Sequence, residues 1–220
     1  MTWKIENDAS GVKMMANYEH LTAVPLVLPR NETSNKDKLA FIVDGVFSDK
    51  ECKEMIKMTE KQGYVKALVN IGGGRQKLMP EVRNNYRCIV DSFEKAAEIW
   101  DRIKHLIPEK WRGRKALGLN ERLRFLRYDP GQEFKPHFDG SYVRDNGEAS
   151  YLTIQLYLNE GFTGGATTFL ENFEFGRNDV DCVPKIGRVL VFQHDILHSG
   201  SKLMKGRKYC LRTDVMFSRD

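Results

Sequence analysis

His137 and Asp139 stand two residues apart in Phe134-Lys-Pro-His-Phe-Asp-Gly140, and a further imidazole, His198, lies in Phe192-Gln-His-Asp-Ile-Leu-His-Ser-Gly200. On an extended strand, residues i and i+2 project to one side, so His137 and Asp139 converge there. Two imidazoles and one carboxylate form a facial donor set suited to non-haem Fe(II), with metal positions left open for a co-substrate and O2. His194 is the internal rival of His198, since the H-x-x-x-H they form could hold zinc on a helix. The flanks Val189-Leu-Val-Phe192 and Gly200 read instead as strand and turn, which favours His198. Nine residues after His198 comes Arg207, a planar fork suited to clamping a carboxylate in a bidentate pair.

The elements that must position this set are short strands. From Arg122 onward they dominate: Leu123–Tyr128, the 134–140 stretch, Tyr151–Leu158, Gly164–Phe169, Gly187–Phe192 and Arg207–Phe217. Within Tyr151–Leu158, Leu152, Ile154, Leu156 and Leu158 face one way, and Tyr151, Thr153, Gln155 and Tyr157 the other. One face is apolar, and the other is polar enough to line a cavity. Upstream, Leu39–Asp44 reads as a strand, and Ser48 with Glu51 as a capping box that opens a helix Asp49 to about Gln62, stopped by Gly63. A second helix, about Ser92 to Leu106, carries the stripe Phe93, Ala96, Ala97, Trp100 and Ile103, and ends before Pro108. Pro80–Asp91 reads as extended, and Gly72–Lys77 as a mobile loop that could cover the substrate. Residues 1–37 lack clear periodicity and read as an N-terminal arm or a short strand, followed by a single domain over 38–220 whose catalytic part spans about 120–218. The fold class expected is α+β, with N-terminal flanking helices around a double-sheet jelly-roll core.

Composition bounds the rest. Thirty-five basic residues against 30 acidic give a net charge of +5, a mixed surface more than a nucleic-acid stripe. Cys52, Cys88, Cys182 and Cys210 are widely spaced, with no C-x-x-C pair, and read as reduced thiols in a cytosolic setting. No apolar run is long enough for a membrane span or a signal core, so the expected location is cytoplasmic or nuclear.

Residues from about 122 to 218 resemble the catalytic domain of the prolyl 4-hydroxylase-like branch of the 2-oxoglutarate/Fe(II) oxygenases. The parallels are Tyr128-x-Pro-Gly-Gln-x-Phe-x-Pro-His137-x-Asp139-Gly, Leu156-Tyr-Leu-Asn159, Gly164-Gly-x-Thr-x-Phe169, Gly187-x-x-Leu-x-Phe192, and His198-x-Gly200 followed by Gly206-Arg207. Asn84-Asn-Tyr-Arg87 resembles the upstream part of the same group. The resemblance implies a double-stranded β-helix, Fe(II) held by His137, Asp139 and His198, and 2-oxoglutarate anchored by Arg207 with support from Tyr157, Tyr128 and Thr153. It also implies oxidative decarboxylation to succinate and CO2 coupled to hydroxylation, with O2 as oxidant and ascorbate as reductant. Asp139 stands where halogenating relatives carry a small residue, which argues for hydroxylation.

The same resemblance favours a prolyl side chain of a protein or peptide as substrate, with a free amino acid or another small molecule as the alternative. Arg83, Arg87, Arg144 and the 72–77 loop are candidates to line an access groove. Nucleic-acid demethylation ranks lower, because the AlkB-like relatives carry two arginines six apart, whereas Arg207 and Arg212 are five apart and on opposite faces of a strand. No stable nucleic-acid or membrane partner is expected. A non-catalytic metal-binding jelly roll also ranks low, since the chain keeps the full ligand set.

Overall fold

In the computed structural model, which describes residues 2–8, 11–29, 35, 37–73, 75–174 and 176–219, the alternating stretch becomes a nine-residue strand at the middle of a ten-stranded antiparallel sheet. We number the main elements β1 (Ala40–Val43), α1 (Asp49–Gln62), β2 (Tyr86–Asp91), α2 (Phe93–Ile103), β3 (Arg114–Leu119) and β4 (Arg122–Tyr128). The chain continues through β5 (Phe134–His137), β6 (Ala149–Tyr157), β7 (Thr167–Phe169), β8 (Val180–Cys182), β9 (Val189–Gln193), β10 (His198–Gly200) and β11 (Lys208–Phe217). The large sheet runs β1-β9-β6-β11-β4-β2 at its centre, and a four-stranded sheet runs β5-β10-β7-β8.

The two faces of the large sheet do different work. Leu152, Ile154 and Leu156 of β6 join Leu123, Phe125, Leu211, Val215 and Phe217 on the outer face, where Ala96, Ile99 and Ile103 of α2 and Cys52 of α1 complete one core. The inner face carries Tyr157, Leu126, Tyr128, Leu190, Phe192 and Cys210, and these pack against Phe169 and Cys182 of the small sheet. Between the sheets these apolar side chains lie beside the inward polar positions of the same strands, among them Thr153, Gln155, Arg212 and Asp214.

The helix termini follow local chemistry. Ser48 is extended and caps α1, its Oγ accepting from Glu51 N at 3.3 Å while Glu51 Oε2 accepts from Ser48 N at 2.8 Å. Gly63, at φ +94°, ends it by donating to Thr59 O. α2 stops at Ile103 with a 3-10 turn at Lys104–Leu106, short of the expected end. Its buried stripe is Ala96, Ile99 and Ile103, whereas Phe93 is exposed.

One other expectation changes. Gly72–Lys77 is not wholly irregular, since Gln76–Lys77 pairs with Val69–Asn70. Within the N-terminal arm the strand alternative takes form: Thr2–Asp8 and Gly11–Asn17 form an antiparallel hairpin, and Val24–Pro25 adds to the large sheet beside β1. All four cysteines are free and buried. Among the described residues no helix is long and apolar enough to cross a membrane.

Candidate metal centre

The small sheet brings the distant parts of the donor set together. His137 closes β5 and His198 opens β10, and the antiparallel register pairs these two residues directly. Their ring centroids lie 4.3 Å apart. Asp139, two positions on, is fixed by its backbone N–H donating to His194 O at 3.0 Å. The ligand atoms of His137, Asp139 and His198 all fall within 4.8 Å of one another. His137 Nε2 is 3.9 Å from Asp139 Oδ1, and His198 Nε2 is 3.7 Å from Asp139 Oδ2. Metal–ligand bonds of about 2.0–2.2 Å accommodate such separations.

Both imidazoles are oriented to present Nε2. His137 Nδ1 lies 2.7 Å from Lys135 O and His198 Nδ1 lies 2.9 Å from Ile196 O, which places the ring proton on Nδ1 in each. Phe134 stacks on His137 at 3.5 Å and Phe192 meets His198 edge-on at 4.6 Å. Burial, and then the charge of His198, lowers the His137 pKa to about 3; burial also lowers that of His198. Neutral imidazoles are the form that binds a metal.

Asp139 is held as a carboxylate from two sides. Burial alone would raise its pKa, but Arg212, then His198 and His137, hold it far below the usual carboxylate range. Arg212 Nη2 is ion-paired to Asp139 Oδ1 at 3.0 Å, and Thr153 Oγ1 donates to Oδ2 at 2.6 Å. Thr153 thus touches the candidate metal ligand itself. Arg212 also pairs with Asp214 at 3.1 Å, which in turn meets Arg124 at 3.2 Å and His194 at 3.5 Å. His194, the rival ligand, is buried beside this carboxylate and lies outside the donor triad.

The anchor expected at Arg207 is not in the enclosed space. Its side chain is half exposed and its Nε donates to Asp129 Oδ1 at 2.6 Å. Strand parity is the reason. In β11, Tyr209, Leu211 and Val215 belong to the outer core, so Arg207 falls on the outer side while Lys208, Cys210, Arg212 and Asp214 point inward. Lys208 is 2% exposed, and its Nζ donates to Gly165 O at 2.5 Å, 5.1 Å from the ring centre of Tyr128 and 5.5 Å from that of Tyr157. Gly165, at φ +71°, has a backbone that favours glycine, and a Cβ there would crowd Leu203 Cδ1 at 3.0 Å and Lys208 Cδ at 3.3 Å. Burial lowers the Lys208 pKa, and among the described residues no carboxylate lies within ion-pair distance of it.

Tyr128 and Tyr157 are both in this inner space. Tyr157 Oη donates to Thr167 Oγ1 at 2.8 Å, and Gln155 Nε2 donates to the same hydroxyl at 2.7 Å. The Tyr128 hydroxyl comes against Gly200, where a Cβ would sit 3.3 Å from it. Burial raises both phenol pKa values, so both remain neutral. Of the candidate groove residues, Arg144 is taken up by Glu121 and Glu148. Sequence reasoning missed Lys208 and Arg212 as members of the site. The alternation that put Thr153 and Tyr157 on the polar face, carried across to β11, would have found both.

The donor set fits Fe(II), and a buried, uncompensated ammonium between two phenols fits the distal carboxylate of a 2-oxo acid. Comparisons with known proteins agree with this geometry. Residues 123–213 match the sequence model of the 2OG-Fe(II) oxygenase superfamily. "Prolyl 4-hydroxylase 2" of Arabidopsis thaliana is 26% identical over 213 residues, covering 81% of this chain and 67% of the relative. The viral collagen prolyl hydroxylase of Paramecium Bursaria Chlorella virus-1, solved as a 2OG complex, superposes with a TM-score of 0.52 at 22% identity, covering 82% of this chain and 97% of that one. A prolyl hydroxylase from Trichoplax adhaerens, solved with a hypoxia inducible factor peptide, gives 0.60 at 13% identity, covering 80% and 82%. At those identities the two structures establish a common fold.

Proposed function

Because the chain belongs to the 2-oxoglutarate/Fe(II) oxygenase superfamily, on its prolyl 4-hydroxylase-like branch, we propose that it hydroxylates a prolyl or other side chain of a protein or peptide, using 2-oxoglutarate and O2 and releasing succinate and CO2. The observation that carries this reading is the register pairing of His137 with His198 beside Asp139, with Lys208 buried in the same enclosure. Bound Fe(II) and 2-oxoglutarate supply the oxidising chemistry, with ascorbate as reductant. The protein's own residues bind, orient and exclude water.

His137 and His198 present Nε2 because backbone carbonyls hold Nδ1. Arg212 and Thr153 fix the plane of the Asp139 carboxylate and keep it ionised. Lys208 receives the distal carboxylate of the co-substrate, and Tyr128 and Tyr157 wall the pocket on its two sides. Phe192 and Phe169 shield His198 from water. Outside the triad, Phe138, the residue between two ligands, is half exposed and meets Phe173 edge-on at 5.9 Å over a cavity of about 520 Å³. Two solvent-facing aromatic rings beside the centre suit a peptide laid across the opening.

The test is succinate release from 2-oxoglutarate by the purified chain with Fe(II) and ascorbate, with proline-containing peptides added one at a time and the peptides weighed by mass spectrometry. Peptide-stimulated turnover with a 16 Da gain is the expected result. Turnover with iron bound but no peptide modified points to a small-molecule substrate.

A further inference from the structure

The enclosure holds more positive charge than its own acids use. Among the described residues, Arg212 and Arg124 share Asp139 and Asp214, and Arg122 takes both oxygens of Asp91 at 2.9 Å. Among the described residues neither Arg83 nor Arg87 has a carboxylate within ion-pair distance. Arg87 shares the inner face through its pairing with Leu126, and its guanidinium reaches only Gln76 Oε1, at 2.9 Å, leaving Nε buried and unpartnered. Arg83 is the more telling. Its Nε donates to Asn85 Oδ1 at 2.7 Å, its Cζ lies 4.5 Å over the Phe134 ring, and that ring stacks on His137. The guanidinium is therefore clamped by one edge and one face, one aromatic ring away from a metal ligand. Its ionisable neighbours are the neutral phenol of Tyr128, the cations Arg212 and Arg87, and the Asp139 carboxylate.

What this leaves free is the Nη1/Nη2 pair, the edge that grips a carboxylate bidentately. Fe(II) and 2-oxoglutarate bring equal and opposite charge, so their binding does not answer this surplus. Desolvating an arginine without an anion is costly, and a site that keeps one open gains most from a ligand carrying the missing charge.

We propose that Arg83, with Arg87 beside it, receives a carboxylate of the substrate, so that this oxygenase selects acidic substrates over their neutral counterparts. The proposal rests on the oxygenase reading and narrows its substrate class. The carboxylate has two sources: the α-carboxylate of a free imino or amino acid, or an acidic side chain next to the target residue of a peptide. A fork already rigid in the unliganded site spends little entropy on binding, which makes the preference large.

The experiment titrates the full chain, loaded with Mn(II) and 2-oxoglutarate under argon, with two pairs of probes: L-proline against L-prolinamide, and Ac-Gly-Glu-Pro-Gly-NH2 against Ac-Gly-Gln-Pro-Gly-NH2. The acidic member of one pair should bind about ten- to a hundredfold more tightly, and the responding pair names the source. Arg83→Gln should erase that preference, and Arg83→Lys should keep part of it, with 2-oxoglutarate affinity and thermal midpoint held. Equal affinity within both pairs, including no binding by any of the four, overturns the proposal. So does a loss of 2-oxoglutarate affinity in Arg83→Gln with the acid preference intact, which assigns the fork to the co-substrate. Failure of the wild-type chain to bind 2-oxoglutarate at all removes the oxygenase reading itself, and this proposal with it.

Discussion

Replacing Lys208 by Met keeps an unbranched side chain of similar length and removes the charge, so it separates two effects that the structure sets against each other. Lys208 is 2% exposed, its ammonium donates to one backbone oxygen, Gly165 O, and among the described residues no carboxylate lies within ion-pair distance of it. A co-substrate carboxylate placed there forms a charge-assisted pair worth about 1.5–3 kcal/mol, so Lys208→Met should weaken 2-oxoglutarate binding about 10- to 150-fold. Without the co-substrate, the buried charge is a liability. Its removal should raise unfolding free energy by about 1–4 kcal/mol, on the scale found when buried ionic groups give way to apolar ones.

The pH dependence has a definite sign. Burial lowers the folded-state pKa of Lys208 below its ordinary 10.5, so the unfolded chain holds this proton more tightly. Stability contributed at this residue therefore rises as pH climbs towards 10.5, and the Met variant lacks that rise. Arg207→Ala is the control. It breaks a half-exposed ion pair with Asp129, worth about 0–1 kcal/mol, and should leave 2-oxoglutarate affinity within twofold. Calorimetric titration of the Mn(II)-loaded proteins under argon and urea unfolding of the metal-free proteins read both quantities. A Lys208→Met variant that binds 2-oxoglutarate normally, beside an Arg207→Ala variant that does not, would refute the parity argument.

Arg212→Gln removes the cation that holds Asp139 ionised and in plane, and should weaken Co(II) binding about 10- to 100-fold, read by the visible absorption of the bound ion. Circular dichroism should show the sheet retained, and unaltered Co(II) affinity would exclude this role. In the metal-free protein, the His137 pKa near 3 lies below the ordinary 6.5, so the unfolded chain takes up this proton first on acidification. Stability should therefore fall as pH drops from about 6.5 to 3, and less steeply in His137→Gln, as measured by urea midpoints across that range. Gly187→Ala should cost at least about 2 kcal/mol or abolish soluble expression, because φ there is +73° and a Cβ would come 1.9 Å from Phe47 O; a thermal midpoint equal to wild type would contradict that contact.

The candidate metal triad was legible because its chemistry and spacing are local: H-x-D on a strand needs no knowledge of its neighbours, and the flanks of His198 set it apart from His194. The first helix was legible for the same reason, since the Ser48–Glu51 box and Gly63 fix both ends without tertiary help. Arg207 was expected in the inner space because spacing was weighed above parity. Leu211 is plainly outer and apolar, and counting back by twos from it puts Arg207 outside and Lys208 inside. The Arg212–Asp214–Arg124 network was hidden for a different reason. Its partners meet only when β4 and β11 lie side by side, and single-strand patterns do not report which strands are neighbours. The Val24–Pro25 strand is likewise decided by the edge of the sheet.

The central claim is that His137, Asp139 and His198 form a working iron site for 2-oxoglutarate. It is tested most directly by measuring succinate formed from 2-oxoglutarate, with Fe(II) and ascorbate present, by the wild-type chain and by His137→Ala. The account predicts succinate from the wild type and none above background from a folded His137→Ala. Equal succinate from both, or none from an iron-loaded wild type that binds 2-oxoglutarate, would contradict it.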